Sequence, residues 1–183
     1  MGLDLNGTTV TKNGNNLEIV VDSKASAIFD NSGRFIRSGE HTMFYVSNTG
    51  SSWVARSTVG YNIYPFNSVE VNKGNCFNTS TNRFTAPITG VYLFTANAYH
   101  YDAASTYYHP LFFVNGDAAG RMPYATAYRI RAYNQTDGHS SDAQICQIYS
   151  LTAGDYVEYV QYIPDGTIYY LGYTTHFAGY LLG

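Results

Sequence analysis

The chain is short of charge and of sulfur. Asp, Glu, Lys and Arg make up 13% of its 183 residues, about half the share of an ordinary soluble domain. No lysine follows Lys73, and the formal net charge is −3. Binding phosphates takes a concentrated basic stripe, so a nucleic-acid partner is not expected. Cys76 and Cys146 are the only cysteines, whereas a disulfide framework or a zinc knuckle needs more of them at tighter spacing. Two free thiols are expected, Cys146 buried in a strand and Cys76 in a loop. No apolar run approaches the ~18 residues of a membrane span, and Met1–Thr9 lacks the basic and apolar regions of a secretory signal. Sec export and membrane insertion are therefore not expected. The N-x-S/T sequons at Asn6, Asn78 and Asn134 then read as chance products of an Asn- and Thr-rich chain.

What the chain does contain is β-forming. Val, Ile, Thr, Tyr and Phe together number 69, against 16 for Leu, Glu and Lys, which is an all-β composition. There are 19 tyrosines, and a Tyr-rich, charge-poor surface suits contact with another chain or a sugar. Extended runs are predicted at Leu17–Asp22, Ala27–Ile36 with a bend at Asn31-Ser32-Gly33, Met43–Asn48 and Phe66–Asn72. Later ones are Val91–Tyr99, Leu111–Val114, Ala125–Tyr133, Ala143–Leu151, Tyr156–Ile163 and Thr175–Leu182. Turn chemistry separates them, as at Asn115-Gly116-Asp117, Ala153-Gly154-Asp155 and Pro164-Asp165-Gly166. Short strands at such intervals indicate an antiparallel sandwich or barrel. In Val91–Tyr99 both faces start apolar, so that strand is expected to be covered twice, once by its own sandwich and once by a partner subunit.

Composition divides the chain near residue 41. The first 41 residues hold no proline and no tyrosine, and every proline and all 19 tyrosines come later. Short β-pieces separated by Asn6-Gly7 and Asn13-Gly14 bury too little area alone. Residues 1–41 are therefore read as an N-terminal arm or collar and residues 42–183 as the main domain.

A long gapped pattern begins at Phe66. With five residues intervening comes Asn72, then after four more Phe77, after six Phe84 and after five Gly90, followed directly by Val91-Tyr92-Leu93-Phe94. This resembles the signature of the C1q-like domains, which belong with the tumour-necrosis-factor-like jelly rolls. It departs at the last position, where an aromatic is usual and this chain has Ala96. Leu151-Thr152-Ala153-Gly154-Asp155-Tyr156-Val157 resembles the family's turn into its penultimate strand, and Phe177-Ala178-Gly179-Tyr180-Leu181-Leu182 its closing strand. The fold expected is an all-β, two-sheet antiparallel jelly-roll sandwich with a short β-containing N-terminal arm. Phe66, Phe84, Tyr92, Phe94 and Phe177 read as plugs between the sheets, Gly90 as opening a strand, and Gly179 as letting another backbone pass close. The resemblance implies a compact homotrimer whose inner sheet, including Val91–Tyr99 and the closing strand, faces the neighbours.

Animal members commonly carry a signal peptide and a collagen-like stalk, for which this sequence has no counterpart. Its lead-in, Phe29-Asp30-Asn31-Ser32-Gly33-Arg34-Phe35 running to Met43-Phe44-Tyr45-Val46, resembles instead that of C1q-like knobs on bacteriophage fibres and other virion appendages. The expectation is a non-enzymatic virion protein, attached through residues 1–41 and serving as fibre tip, capsid decoration or host adsorption. A soluble lectin-like recognition module is the alternative. Tyr99, Tyr101, Tyr107, Tyr108 and Tyr124, with Tyr128 and Tyr133, lie in or beside predicted connections, where aromatic faces stack on a host-surface glycan or on protein. Arg121, Arg129 and Arg131 read as a solvated or subunit-facing group. His100, Asp102 and His109 lack any hydrolase or zinc context and are read as exposed loop residues. Asp102, Asp117, Asp137 and Asp142 also sit on predicted loops, but calcium needs 6–8 converging oxygens. No cofactor and no metal is assigned.

Overall fold

The computed structural model describes residues 3–5, 8–21, 24–29, 35–38, 42–56, 58–102, 107–116, 132–133, 140–163 and 167–182. The chain divides into two compact units, Met1–His41 and Thr42–Gly183.

The first unit is a five-stranded antiparallel meander: β1 (Leu3–Leu5), β2 (Thr8–Asn13), β3 (Asn16–Val21), β4 (Lys24–Phe29) and β5 (Phe35–Ser38), paired in sequence order. Gly14, with φ of 60°, makes the tight turn between β2 and β3, where a left-handed residue matches the twist of the hairpin.

The second unit is a two-sheet sandwich, a jelly roll. Its strands are β6 (Met43–Ser47), β7 (Trp53–Arg56), β8 (Gly60–Ile63), β9 (Ser68–Lys73), β10 (Phe77–Asn78), β11 (Arg83–Thr85) and β12 (Gly90–Asp102), then β13 (Tyr107–Val114), β14 (Ala132–Tyr133), β15 (Ser140–Leu151), β16 (Tyr156–Ile163), β17 (Ile168–Leu171) and β18 (His176–Leu181). The larger sheet is built on β12. One edge of β12 pairs with β15 along its length; the other pairs first with β18 and then with β17, and β6, β9 and β7 continue outward from these. The smaller sheet is built on β16, with β13 and β14 on one side and β11, β10 and β8 on the other. All pairings are antiparallel, and the only described helical element is a single 3-10 turn at Gly172–Thr174.

Aromatic side chains fill the space between these sheets. Phe44, Phe66, Phe77, Phe84, Tyr92, Phe94, Phe112, Tyr159 and Phe177 are all buried in one cluster. Their rings meet mostly edge-on or tilted, as where Phe177 meets Phe44 at 4.7 Å and Phe84 meets Phe94 at 5.1 Å, the arrangement that the ring quadrupole favours. Each such side chain contributes ~1.5–3 kcal/mol by leaving water.

Candidate functional site

The gapped sequence pattern is structural, and each position has a physical task. Asn72, on β9, accepts a hydrogen bond from the Phe77 N–H at 3.0 Å and donates its amide to the Phe77 carbonyl at 2.9 Å. One side chain thus stands in for a backbone partner and clasps a loop containing Gly74 and Asn75, both with positive φ. Phe77 and Phe84 face each other across β10 and β11. Gly90 opens β12. Tyr92 buries its ring and donates its hydroxyl to the Ile88 carbonyl at 2.7 Å, which satisfies the one polar atom that burial would otherwise strand. Gly179 differs from its sequence reading. A Cβ there would fall 2.6 Å from the Phe94 ring and 2.7 Å from the Phe44 ring, so phenyl groups, not a second backbone, require the glycine.

The same alternation that sends Tyr92, Phe94 and Ala96 inward sends Val91, Leu93 and Thr95 out of the sandwich. In register with them stand Ser150, Ile148 and Cys146 on β15, Tyr180 and Ala178 on β18, and Met43 and Tyr45 on β6. The outward face of the larger sheet is thus largely apolar. Ile148 is 60% exposed, Tyr180 43% and Val91 39%. A shallow groove of about 240 Å³ runs over Met43, Tyr45, Val71, Leu93, Ala178 and Tyr180. A contiguous apolar face of this kind marks an interaction surface. Its polar end carries His176, whose ring stacks on Tyr45 at 5.8 Å, and Ser47, bonded to Glu70.

Cys76 lies in a loop, as expected, after β9; it is buried, and burial pushes its thiol up to about 11. Other residues fall elsewhere than expected. Cys146 is in a strand but exposed, because it occupies an outward position of β15. His100, Asp102 and His109 all lie in strands, β12 and β13. His100 is fully buried. Its Nε2 pairs with the Tyr64 hydroxyl, its Nδ1 bonds the Ala98 carbonyl at 3.0 Å, and desolvation lowers its pKa to about 3. It is a neutral core histidine in a strand, not an exposed loop residue.

Tyr99 and Tyr101 lie in β12, and Tyr107 and Tyr108 in β13, on either side of the connection 103–106. Tyr133 is in β14; Tyr124, Tyr128, Arg121, Arg129 and Arg131 lie outside the described residues, as do Asp117 and Asp137. Asp102 and Asp142 are strand residues. Among the described residues no three of His, Cys, Asp or Glu form a group able to hold a metal ion, and no helix is long and apolar enough to cross a membrane.

Sequence reasoning also missed an aromatic cluster outside the core. On the outward face of the smaller sheet Tyr61 lies 4.9 Å from both Phe113 and Tyr162, and it is 52% exposed. The pairings of β8 and of β13 with β16 together bring these three into one cluster.

Residues 43–182 match the C1q domain family. The chain belongs to that family. Solved structures carry the same fold at low identity. The globular domain of zebrafish complement 1qA protein matches at 19% identity with a TM-score of 0.50, over 79% of this chain and 98% of that one. The Eiger TNF from S. frugiperda matches at 14% and 0.55, over 79% and 94%. Murine APRIL matches at 13% and 0.54, over 78% and 100%. This C1q domain thus spans nearly the whole of each similar domain, and residues 1–41 lie outside its family match.

Proposed function

We propose that the chain is a non-enzymatic virion structural protein: a homotrimeric C1q-like knob, held to a virion partner through residues 1–41 and exposed for capsid decoration, fibre-tip or adsorption duty. The observation that carries it is the uncovered apolar face of the larger sheet. Covering that face with copies of the chain removes it from water, and in a charge-poor protein this also lessens the surface that ionic groups must dress. The virion assignment is supported by the lead-in from Phe29 to Val46 and by the small separate β-unit that precedes the C1q domain.

Light scattering on the full chain should give about three times 20.3 kDa; a monomer at micromolar concentration overturns the trimer. An antibody raised to the C1q domain should label virus particles in electron micrographs, and purified particles without label overturn the virion role. A second reading, glycan recognition, is favoured by the Tyr61, Phe113 and Tyr162 cluster, since the half-exposed Tyr61 ring, braced edge-on and at a tilt by the other two, offers an aromatic face on which a sugar can stack. Glycan-array binding lost on Tyr61→Ala would place recognition there. Binding lost only on Tyr107→Ala or Tyr108→Ala would place it at the β12–β13 end.

A further inference from the structure

Among the described residues the N-terminal unit is one five-stranded sheet with no second layer of its own. Its register sets Leu3, Val10, Ile19 and Ala27 in one row across four strands, with Lys12, Leu17 and Phe29 in a parallel row on the same face. The other face carries Asp4, Thr9, Val20 and Ala25 in one row, and Thr11, Glu18 and Ile28 in the next. Within the single chain none of the described side chains of this sheet is buried: Val10 and Ile19 are partly exposed, and Leu17 is 45% exposed. A sheet that is apolar on one face must bury that face against another element. Units of about 40 residues usually rely on disulfides, metals or oligomerisation, and residues 1–41 contain no cysteine.

We propose that the apolar face of this sheet is completed by the same face of other copies of the chain, so that residues 1–41 gain their core between subunits. The proposal rests on the homotrimer reading. Its argument is continuity: only residues 39–42 separate β5 from β6, and β6 supplies Met43 and Tyr45 to the apolar face of the larger sheet. Once the C1q domains associate, the attached sheets are held at an effective concentration in the millimolar range. A face too small to associate freely can then do so. The Asp4–Thr9 and Thr11–Glu18 face is left for the virion partner.

The test uses hydrogen exchange on the full chain, with light scattering for mass. In the wild-type trimer the amides of β2 and β3 are protected. In the double variant Leu93→Asp/Tyr180→Asp, which separates the subunits, β12 stays protected while β2 and β3 exchange roughly tenfold faster or more. Ile19→Asp, made in the otherwise wild-type chain, should speed exchange in β2 and β3 without changing the trimer mass. Unchanged protection of β2 and β3 in the separated variant overturns the proposal and leaves the trimer standing. A monomeric wild type overturns both.

Discussion

The two units of this chain are built from the same kind of strand, yet only one of them has an inside. In the C1q domain, alternation sends one set of residues into a gap walled by two sheets, where Phe84, Phe94 and Phe177 lose all contact with water. In the N-terminal sheet the backbone ladder is equally regular, but Val10, Leu17 and Ile19 keep solvent at their surfaces. Strand pairing satisfies N–H and C=O groups in both, and that net gain is modest. Stability resides in the second layer. The outward face of the larger sheet stands between these extremes: it has a layer beneath it, yet Ile148, Tyr180 and Val91 on it stay exposed among the described residues.

The largest difference should come from cutting the same chemistry out of each unit. Phe94→Ala removes a ring that touches Phe84, Phe112 and Phe177 and should cost about 3–5 kcal/mol in denaturant melts. Leu17→Ala, nearly half exposed in the free chain, should cost under about 1 kcal/mol in a monomeric background. Equal costs would break the comparison.

Acid provides the next largest effect. His100 is neutral and buried with a folded-state pKa near 3, while the unfolded chain binds that proton near pH 6.5. Below pH 6.5 the unfolded state therefore holds more protons than the folded one, so stability falls as pH falls and is lost progressively towards pH 3. Between pH 7 and pH 4 the loss is about 3 kcal/mol. The groups around the ring are the Tyr64 hydroxyl, the Ala98 carbonyl and Gln161. Thermal melts across this range should show the slope for wild type and a flatter one for His100→Asn, which starts less stable. An unchanged slope in the variant assigns the acid response elsewhere. His100 lies in β12, so the effect belongs to the C1q domain.

These contrasts mark what was legible in the sequence. The strand Tyr156–Ile163 was readable to its ends, because a continuous β-rich run between two turn signals has one interpretation. The doubly apolar start of β12 was readable for the same reason. Trp53–Arg56, Gly60–Ile63 and Ile168–Leu171 were not: each is four residues long, too short for period two to stand out from its neighbours. Cys146 was expected in a strand, which holds, but buried, which does not: burial depends on which face of β15 turns inward, and that is fixed by its register with β12. His100 looked like a loop residue because β12 extends to Asp102, past the point where apolar alternation fades. The Tyr61 cluster joins residues far apart in sequence and had no local signal at all.

A smaller effect tests how the domain's loops are closed. Asn72→Ala removes both hydrogen bonds to Phe77 and leaves that residue's partly buried N–H and C=O without them. The expected cost is about 1–3 kcal/mol. Asn72→Asp keeps the acceptor and loses the donor, and should fall between. If Asn72→Ala melts like wild type, the clasp is ornamental and the ring of Phe77 holds the loop by packing alone.

The smallest effect is one of rate, and it reports on the intermediate face directly. Cys76 is buried, with its thiol held up to about 11 by desolvation. Cys146 is exposed in the single chain and stands opposite Thr95, on the outward face shared with Ile148 and Leu93. A thiol reagent at neutral pH should therefore find one reactive group in the subunit-separated variant Leu93→Asp/Tyr180→Asp, and Cys146→Ser should abolish it. If the wild type is the proposed trimer, the same thiol should react more slowly there, because a neighbouring copy would lie over β15. If Cys146 reacts equally fast in both, β15 lies outside the contact, and the covered part of the face is confined to the groove over β6, β12 and β18.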